Sequence, residues 1–171
     1  LMLASLYQNL RNFNPELVFR SREEIQTALA LSPTKQQTLF LLADNYLATR
    51  EFDKAVEVME RAVALEPSNR EAQTNLAITA ILANREEIVK KVMDDLSELR
   101  LKVDKKNPDS PLWLYITDMK KIADVYLQLG RRNGARSIYN KLVALEPEVA
   151  IFQITIPYKE LLKNLNDQIR E

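Results

Sequence analysis

A chain of 171 residues, 46% of them hydrophobic, is long enough to bury a substantial core as one domain or one repeat array. Its 24 Lys and Arg balance its 24 Asp and Glu, so no net field draws it to nucleic acid or to an anionic membrane surface. Only two glycines disfavour a fold of many tight turns, and the absence of Cys and His removes disulfides, thiolate chemistry and the commonest general base and metal ligand.

Leu3, Leu6, Tyr7 and Leu10 fall at helical spacing, and Asn14-Pro15-Glu16 then supplies an N-cap, a first-turn Pro and a first-turn acid. A helix is predicted from Pro15 to about Ala30. Its Ser21, Ile25, Ala28 and Pro33 keep the offsets of Ala55, Met59, Ala62 and Pro67 further on, which makes it the back half of an earlier unit. The front half, Leu1 to Phe13, fits that unit poorly.

Gln36 to Pro67 reads as one helix-turn-helix unit. Leu39, Leu42, Ala43 and Tyr46 form a stripe on its first helix, and small Ala43 admits close approach of the second. The turn is placed at Thr49 to Phe52, with Asp53 as N-cap of a helix carrying Ala55, Val56, Met59, Ala62 and Val63, closed by Pro67. A third unit keeps the register with Leu76, Ala77, Ala80, Val89, Met93 and Leu96, but has Leu101 in place of the closing Pro. Its second helix is therefore expected to run on to about Lys105, before Asn107-Pro108 stops it and Ser110-Pro111 starts the next. The fourth unit carries Met119, Ile122, Ala123, Tyr126, Ala135, Tyr139, Leu142 and Pro147. Pro33 and Pro67 are 34 residues apart, whereas Pro67 and Pro147 are 80 apart, twice that period plus 12. The extra residues are placed at 102–114, as an extension of both neighbouring helices in which Trp113 is a candidate to pack as core against Leu99 or Val103, with a binding anchor as its other reading. Glu148 to Glu171 leaves the spacing, and Leu161, Leu162, Leu165 and Ile169 suit a capping helix after Pro157.

The spacing of Leu39, Leu42, Ala43, Tyr46, Ala55, Met59, Ala62 and Pro67, repeated at Ile116 to Pro147, resembles the tetratricopeptide repeat family. The resemblance implies an all-α fold, a right-handed α-solenoid of antiparallel helix pairs with about three and a half to four repeats and a C-terminal cap. The expected divisions are an atypical first repeat (1–33), a repeat (34–67), a degenerate repeat (68–101), the insertion (102–114), a repeat (115–147) and the cap (148–171). It also implies that first helices line a concave groove for a peptide or partner protein, with no cofactor and no catalysis. A narrower resemblance lies in Asn14-Pro15-Glu16-Leu17, Ala28 to Pro33 and Gln36-Gln37, which look like the start of the repeat tail of bacterial O-antigen ligase-like membrane proteins. That alternative makes the chain an extracytoplasmic tail whose catalytic part lies elsewhere, whereas a generic repeat protein is cytoplasmic. The opening Leu1, in place of Met, reads as a segment of a longer protein.

On ideal helices, the residues facing away from each unit's own stripe are Gln37, Phe40 and Asp44, then Thr74 and Ile78, then Lys120 and Asp124. These are the candidate groove residues, with packing against the next unit as the other reading of Phe40. The family's familiar groove grips a C-terminal carboxylate with Lys and Asn side chains. Asp44, Ile78 and Asp124 stand where its Asn residues are expected, so a carboxylate clamp is disfavoured by charge repulsion. The doublets Lys90-Lys91, Lys105-Lys106, Lys120-Lys121 and Arg131-Arg132 diverge around their helices and read as solvated faces. Glu23-Glu24, Glu86-Glu87 and Asp94-Asp95 diverge in the same way and do not converge on a substrate. No P-loop, dinucleotide fingerprint or metal cluster is present, and no apolar run approaches the ~20 residues of a membrane span.

Overall fold

The periodic apolar residues become seven helices, with no strand among the described residues: α1 (Glu16–Leu31), α2 (Gln36–Ala48), α3 (Phe52–Leu65), α4 (Arg70–Leu82), α5 (Glu86–Arg100), α6 (Ser110–Gln128) and α7 (Arg132–Val143). The computed structural model describes residues 16–100 and 110–145, together with Lys163 and Asp167. The expectations for the front half of the first unit, the run-on of α5 beyond Arg100 and the C-terminal cap lie outside those residues, as does most of the proposed insertion.

The chain divides within α5 into two compact units, Leu1–Val89 and Lys90–Glu171. In the first unit α1 packs on α2, α2 on α3 and α3 on α4. Ile25, Leu39, Leu42, Ala43, Ala55, Met59, Ala62, Leu76, Ala77 and Ala80 are all buried there. In the second, α6 packs on α7 and buries Ile116, Met119, Ile122, Ala123, Tyr126, Ala135, Tyr139 and Leu142. These are stripes of three- and four-residue spacing, each too narrow to be stable in water until a neighbouring helix covers it.

Chain reversal after each first helix has one recurrent geometry. Arg50, Asn84 and Gly130 adopt positive φ of 59°, 58° and 69°. In each case the next amide reaches back five residues to a carbonyl: Glu51 N–H to Tyr46 (2.9 Å), Arg85 N–H to Ala80 (2.8 Å) and Arg131 N–H to Tyr126 (2.8 Å). The left-handed residue's own N–H reaches back three residues, to Leu47, Ile81 and Leu127 respectively. Together these bonds form a Schellman closure, which satisfies carbonyls that the helix end would otherwise leave unpaired. Asn84 follows Arg50 by 34 residues (84 − 50) and Gly130 follows Asn84 by 46 (130 − 84).

Two local expectations are corrected. Asp53 is not the N-cap of α3: the helix begins at Phe52, and Glu51 precedes it without a side-chain cap bond. The closure at Arg50 brings the chain into helical geometry early, so Asp53 falls in the first turn and accepts from Arg85 Nη2 at 2.8 Å. Trp113 is not core; it is 43% exposed. The inward stripe of α6 runs through Leu112, Tyr115, Ile116 and Met119, and Trp113 is rotated roughly 100° from Leu112.

Two glycine-sensitive positions follow from this geometry. A left-handed Arg pays a steric penalty that Gly does not, so Arg50→Gly is expected to raise stability by about 0.5–1 kcal/mol in denaturant unfolding, with a smaller gain for Asn84→Gly because Asn tolerates this region. Gly134, a third such position beside Arg50 and Asn84, is the opposite case. A Cβ there would lie 2.5 Å from Cε1 and 2.8 Å from Cγ of the buried Tyr126 ring. Gly134→Ala should therefore lower stability by about 1–3 kcal/mol despite alanine's better helix propensity, measured in the same assay.

Candidate functional site

The candidate residues of the first unit lie on α2 and α4. Gln37 and Asp44 are exposed, and Phe40 and Ile78 are half-buried. Thr74 is a correction, because only 3% of it is exposed. An ideal-helix argument assumes one covered face, whereas α4 buries Ala72, Gln73 and Thr74 in succession and again Thr79, Ala80 and Ile81. The Thr74 hydroxyl has no hydrogen-bond partner among the described residues, and neither has the Thr38 hydroxyl nor the Gln73 side-chain carbonyl.

Side-chain hydrogen bonds link the start of α2 to the end of α3 and to the start of α4. Buried Gln36, in the first turn of α2, donates through Nε2 to the Ala62 carbonyl near the end of α3 (2.8 Å). Its Oε1 accepts from Asn69 Nδ2. Asn69 Oδ1 in turn caps α4, accepting from the amides of Glu71 (2.9 Å) and Ala72 (3.2 Å). One glutamine thus ties the starts of both first helices to the intervening second helix.

In the second unit the candidate pair is Lys120 and Asp124, both half-buried on α6. Lys120 Nζ lies 2.5 Å from Asp124 Oδ2, across one helical turn. The cation and carboxylate that read as separate features along the sequence neutralise one another. Beside them on α7, the fully buried Tyr139 has its phenol pushed up to about 12, by burial first and then by the negative charge of Asp124. Its hydroxyl has no hydrogen-bond partner among the described residues.

The densest polar cluster was not among the sequence candidates. Arg22 of α1 donates through Nε to Asn45 Oδ1 (2.8 Å) and through Nη2 to Thr49 Oγ1 (2.7 Å), with Glu51 Oε1 also 2.6 Å from Nη2. Its guanidinium carbon sits 4.5 Å from the centre of the Tyr46 ring. Asn45 Nδ2 returns a bond to the Val18 carbonyl at 2.8 Å, and Lys54 Nζ reaches Glu51 Oε2 at 2.6 Å. Arg22 and Glu51 are 29 positions apart and belong to no periodic stripe, so the only sequence signal was polar Asn45 beside the inward Leu42 and Tyr46, with Thr49 four residues on, just past the end of α2. Hydrogen bonds from Lys54 and Thr49, and then the bond and charge of Arg22, hold the Glu51 carboxyl at about 2, against an ordinary 4.5. A carboxyl so acidic is a fixed anion near neutrality and unsuited to proton transfer there.

Among the described residues, no group of three or more Asp or Glu could hold a metal ion. No described helix is long and apolar enough to cross a membrane. Residues 36–79 and, separately, 121–149 match family models described as tetratricopeptide repeat. Of the three segments that carried the O-antigen ligase-like resemblance, Asn14-Leu17 and Ala28-Pro33 lie outside both spans, and Gln36-Gln37 opens the first. Among solved structures, the crystal structure of MamA protein is similar in fold, with a TM-score of 0.52 at 16% identity over 98% of this chain and 88% of that one. No curated protein matches the chain.

The depressed Glu51 pKa has a definite pH signature. Its stabilising contribution is complete above the unfolded value near 4.5 and is lost as pH falls through the folded value of about 2. The stability gap between wild type and Glu51→Gln should therefore be constant at neutral and mildly acidic pH and shrink between 4.5 and 2. Denaturant unfolding of both proteins across that range checks it, and a gap that persists undiminished at the acid end contradicts the assigned network.

Proposed function

We propose that this chain, a tetratricopeptide repeat protein, is a non-catalytic scaffold that binds a peptide or protein segment on the outward faces of its first helices. The observation that carries the reading is on α2. There Leu39, Leu42 and Ala43 are buried in the repeat stack, while Gln37, Phe40 and Asp44 lie at helical spacing on another face, Gln37 and Asp44 exposed and Phe40 half-buried. On neighbouring α4, half-buried Ile78 adds aliphatic surface. The Gln36–Asn69 bond keeps the two helices adjacent at their starts, so a ligand meets a face set by folding.

The chemistry favours a segment bound through side chains over one held by its terminal carboxylate. Asp44 and Ile78 occupy places where the family's clamp uses Asn, and a carboxylate at Asp44 opposes another carboxylate. On α6 the same holds for Asp124, whose neighbouring cation Lys120 is already engaged. The absence of His and Cys from the whole chain, and the fixed ionisation of Glu51, support a binding role over catalysis.

A displayed library of random peptides about twelve residues long, some 40 Å when extended, is a suitable probe of the full chain. Selected peptides, resynthesised with blocked ends, are expected to lose about tenfold in affinity with Phe40→Ala, and less with Asp44→Ala, by fluorescence polarisation. Peptides that bind both variants as well as wild type would remove the α2 face from the function.

A further inference from the structure

The three first helices differ in length in a way that the repeat does not explain. α2 opens 14 residues before its left-handed closing residue (50 − 36) and α4 opens 14 before its own (84 − 70), but α6 opens 20 before Gly130 (130 − 110). Six residues, 110–115, are therefore added to the N-terminal end of α6. Within them Leu112 and Tyr115 point into the core, whereas Trp113 and Leu114 are 43% and 44% exposed. No other adjacent pair of large hydrophobic side chains is exposed to this degree among the described residues.

Trp113 heads a stripe with Thr117, Lys120 and Asp124, at offsets of four, seven and eleven, so it stands about 10 Å along the axis from Lys120 on one helix face. The charge on α6 is closed. Its charged residues are Asp118, Lys120, Lys121 and Asp124, and each lysine has an aspartate of the same helix near it: Lys120–Asp124 at 2.5 Å and Lys121–Asp118 at 3.9 Å. A charged ligand group over this stripe would have to displace a lysine from its aspartate or remain unmatched. An uncharged segment meets no such cost, and an aromatic ring open to solvent gains most from covering by apolar surface.

We propose that the added N-terminal turns of α6 form a recognition site. Trp113, with Leu114 beside it, takes one large apolar side chain of a bound peptide segment, and the part of that segment continuing over Thr117 toward the Lys120–Asp124 pair carries no charge. This rests on the reading of the chain as a peptide-binding scaffold, and adds to it both the anchor and the chemical class of the ligand.

Trp113 is the only tryptophan in the chain, so its fluorescence reports this site alone. The peptides selected from the random library, with blocked ends, are the probe. A class of them is expected to carry a large apolar residue flanked on one side by uncharged residues. These should shift Trp113 emission to the blue, weaken by about tenfold with Trp113→Ala and by less than about threefold with Trp113→Phe. Their affinity should change by less than about twofold between ~50 and ~500 mM NaCl. Far-ultraviolet circular dichroism should be unchanged in both variants. The proposal is overturned if no selected peptide is weakened by Trp113→Ala, if those that move Trp113 emission are charged and salt-sensitive, or if the emission shifts with protein concentration alone, which assigns the site to a second copy of the chain. Peptides weakened by Phe40→Ala and not by Trp113→Ala leave the scaffold reading standing while the anchor falls; peptides indifferent to both variants remove both.

Discussion

Three residues in left-handed conformation, Arg50, Asn84 and Gly130, set the register on which the helix pairs depend. Counting back seven from each gives Ala43, Ala77 and Ala123, which are 1%, 0% and 0% exposed. Counting forward five gives Ala55, Val89 and Ala135, also buried. The reversal therefore fixes which residues of the two helices are turned inward together, and the small side chain at the first of those places leaves room for a neighbouring backbone. Displacing the reversal by one residue would rotate the second helix's stripe by roughly 100° and turn part of it to water. That explains why a residue as unsuited to positive φ as Arg50 is held there: its local strain is small beside the burial that the reversal secures.

Apolar stripes alone leave helices free to slide along one another, and the polar ties remove that freedom. Arg22 meets Asn45, Thr49 and Glu51 at specific atoms, so a shift of α1 along α2 by even one residue would leave a largely buried guanidinium without its partners. The tyrosines that follow the alanines show two solutions to one packing problem. Tyr46 lies beneath Arg22, with Lys54 Nζ 5.6 Å from its ring centre, and stays half-buried. Tyr126, 80 positions on, meets Gly134 where the earlier repeat has Lys54, and is 3% exposed. A cation over the ring face and a bare backbone against it both cover the aromatic, the first leaving an edge in water and the second closing it in.

What could be read along the chain was what repeats. Leu39, Leu42, Ala43, Met59, Ile122 and Leu142 recur at spacings that permit one conformation and one buried face, and all are buried. Residues whose roles depend on a single distant partner escaped, because periodicity carries no information about them. Glu51 is one, joined to Arg22 across 29 positions; Gln36 is another, bridging Ala62 and Asn69. Among the site candidates, Gln37 and Asp44 lie on the surface because α2 covers its faces as an amphipathic helix should. Thr74 does not, because α4 is enclosed more completely than one stripe can indicate. Trp113 escaped because its place in the added segment suggested packing against Leu99 or Val103, whereas its angular position, one residue past Leu112, decided its exposure.

The contrast between inward and outward positions bears on the ligand. At the place seven before the reversal all three repeats carry alanine, yet six before it, on the outward side, they carry Asp44, Ile78 and Asp124. Ten before it they carry half-buried Phe40 and Lys120, but buried Thr74. The scaffold repeats and its outward chemistry does not. On the proposed scaffold reading, the outward residues of neighbouring α2 and α4, which differ from one another, suit a ligand whose own side chains differ along its length. The added turns of α6 belong to the same pattern: Trp113 occupies a place to which α2 and α4 do not extend, so whatever it contacts has no counterpart in the other repeats.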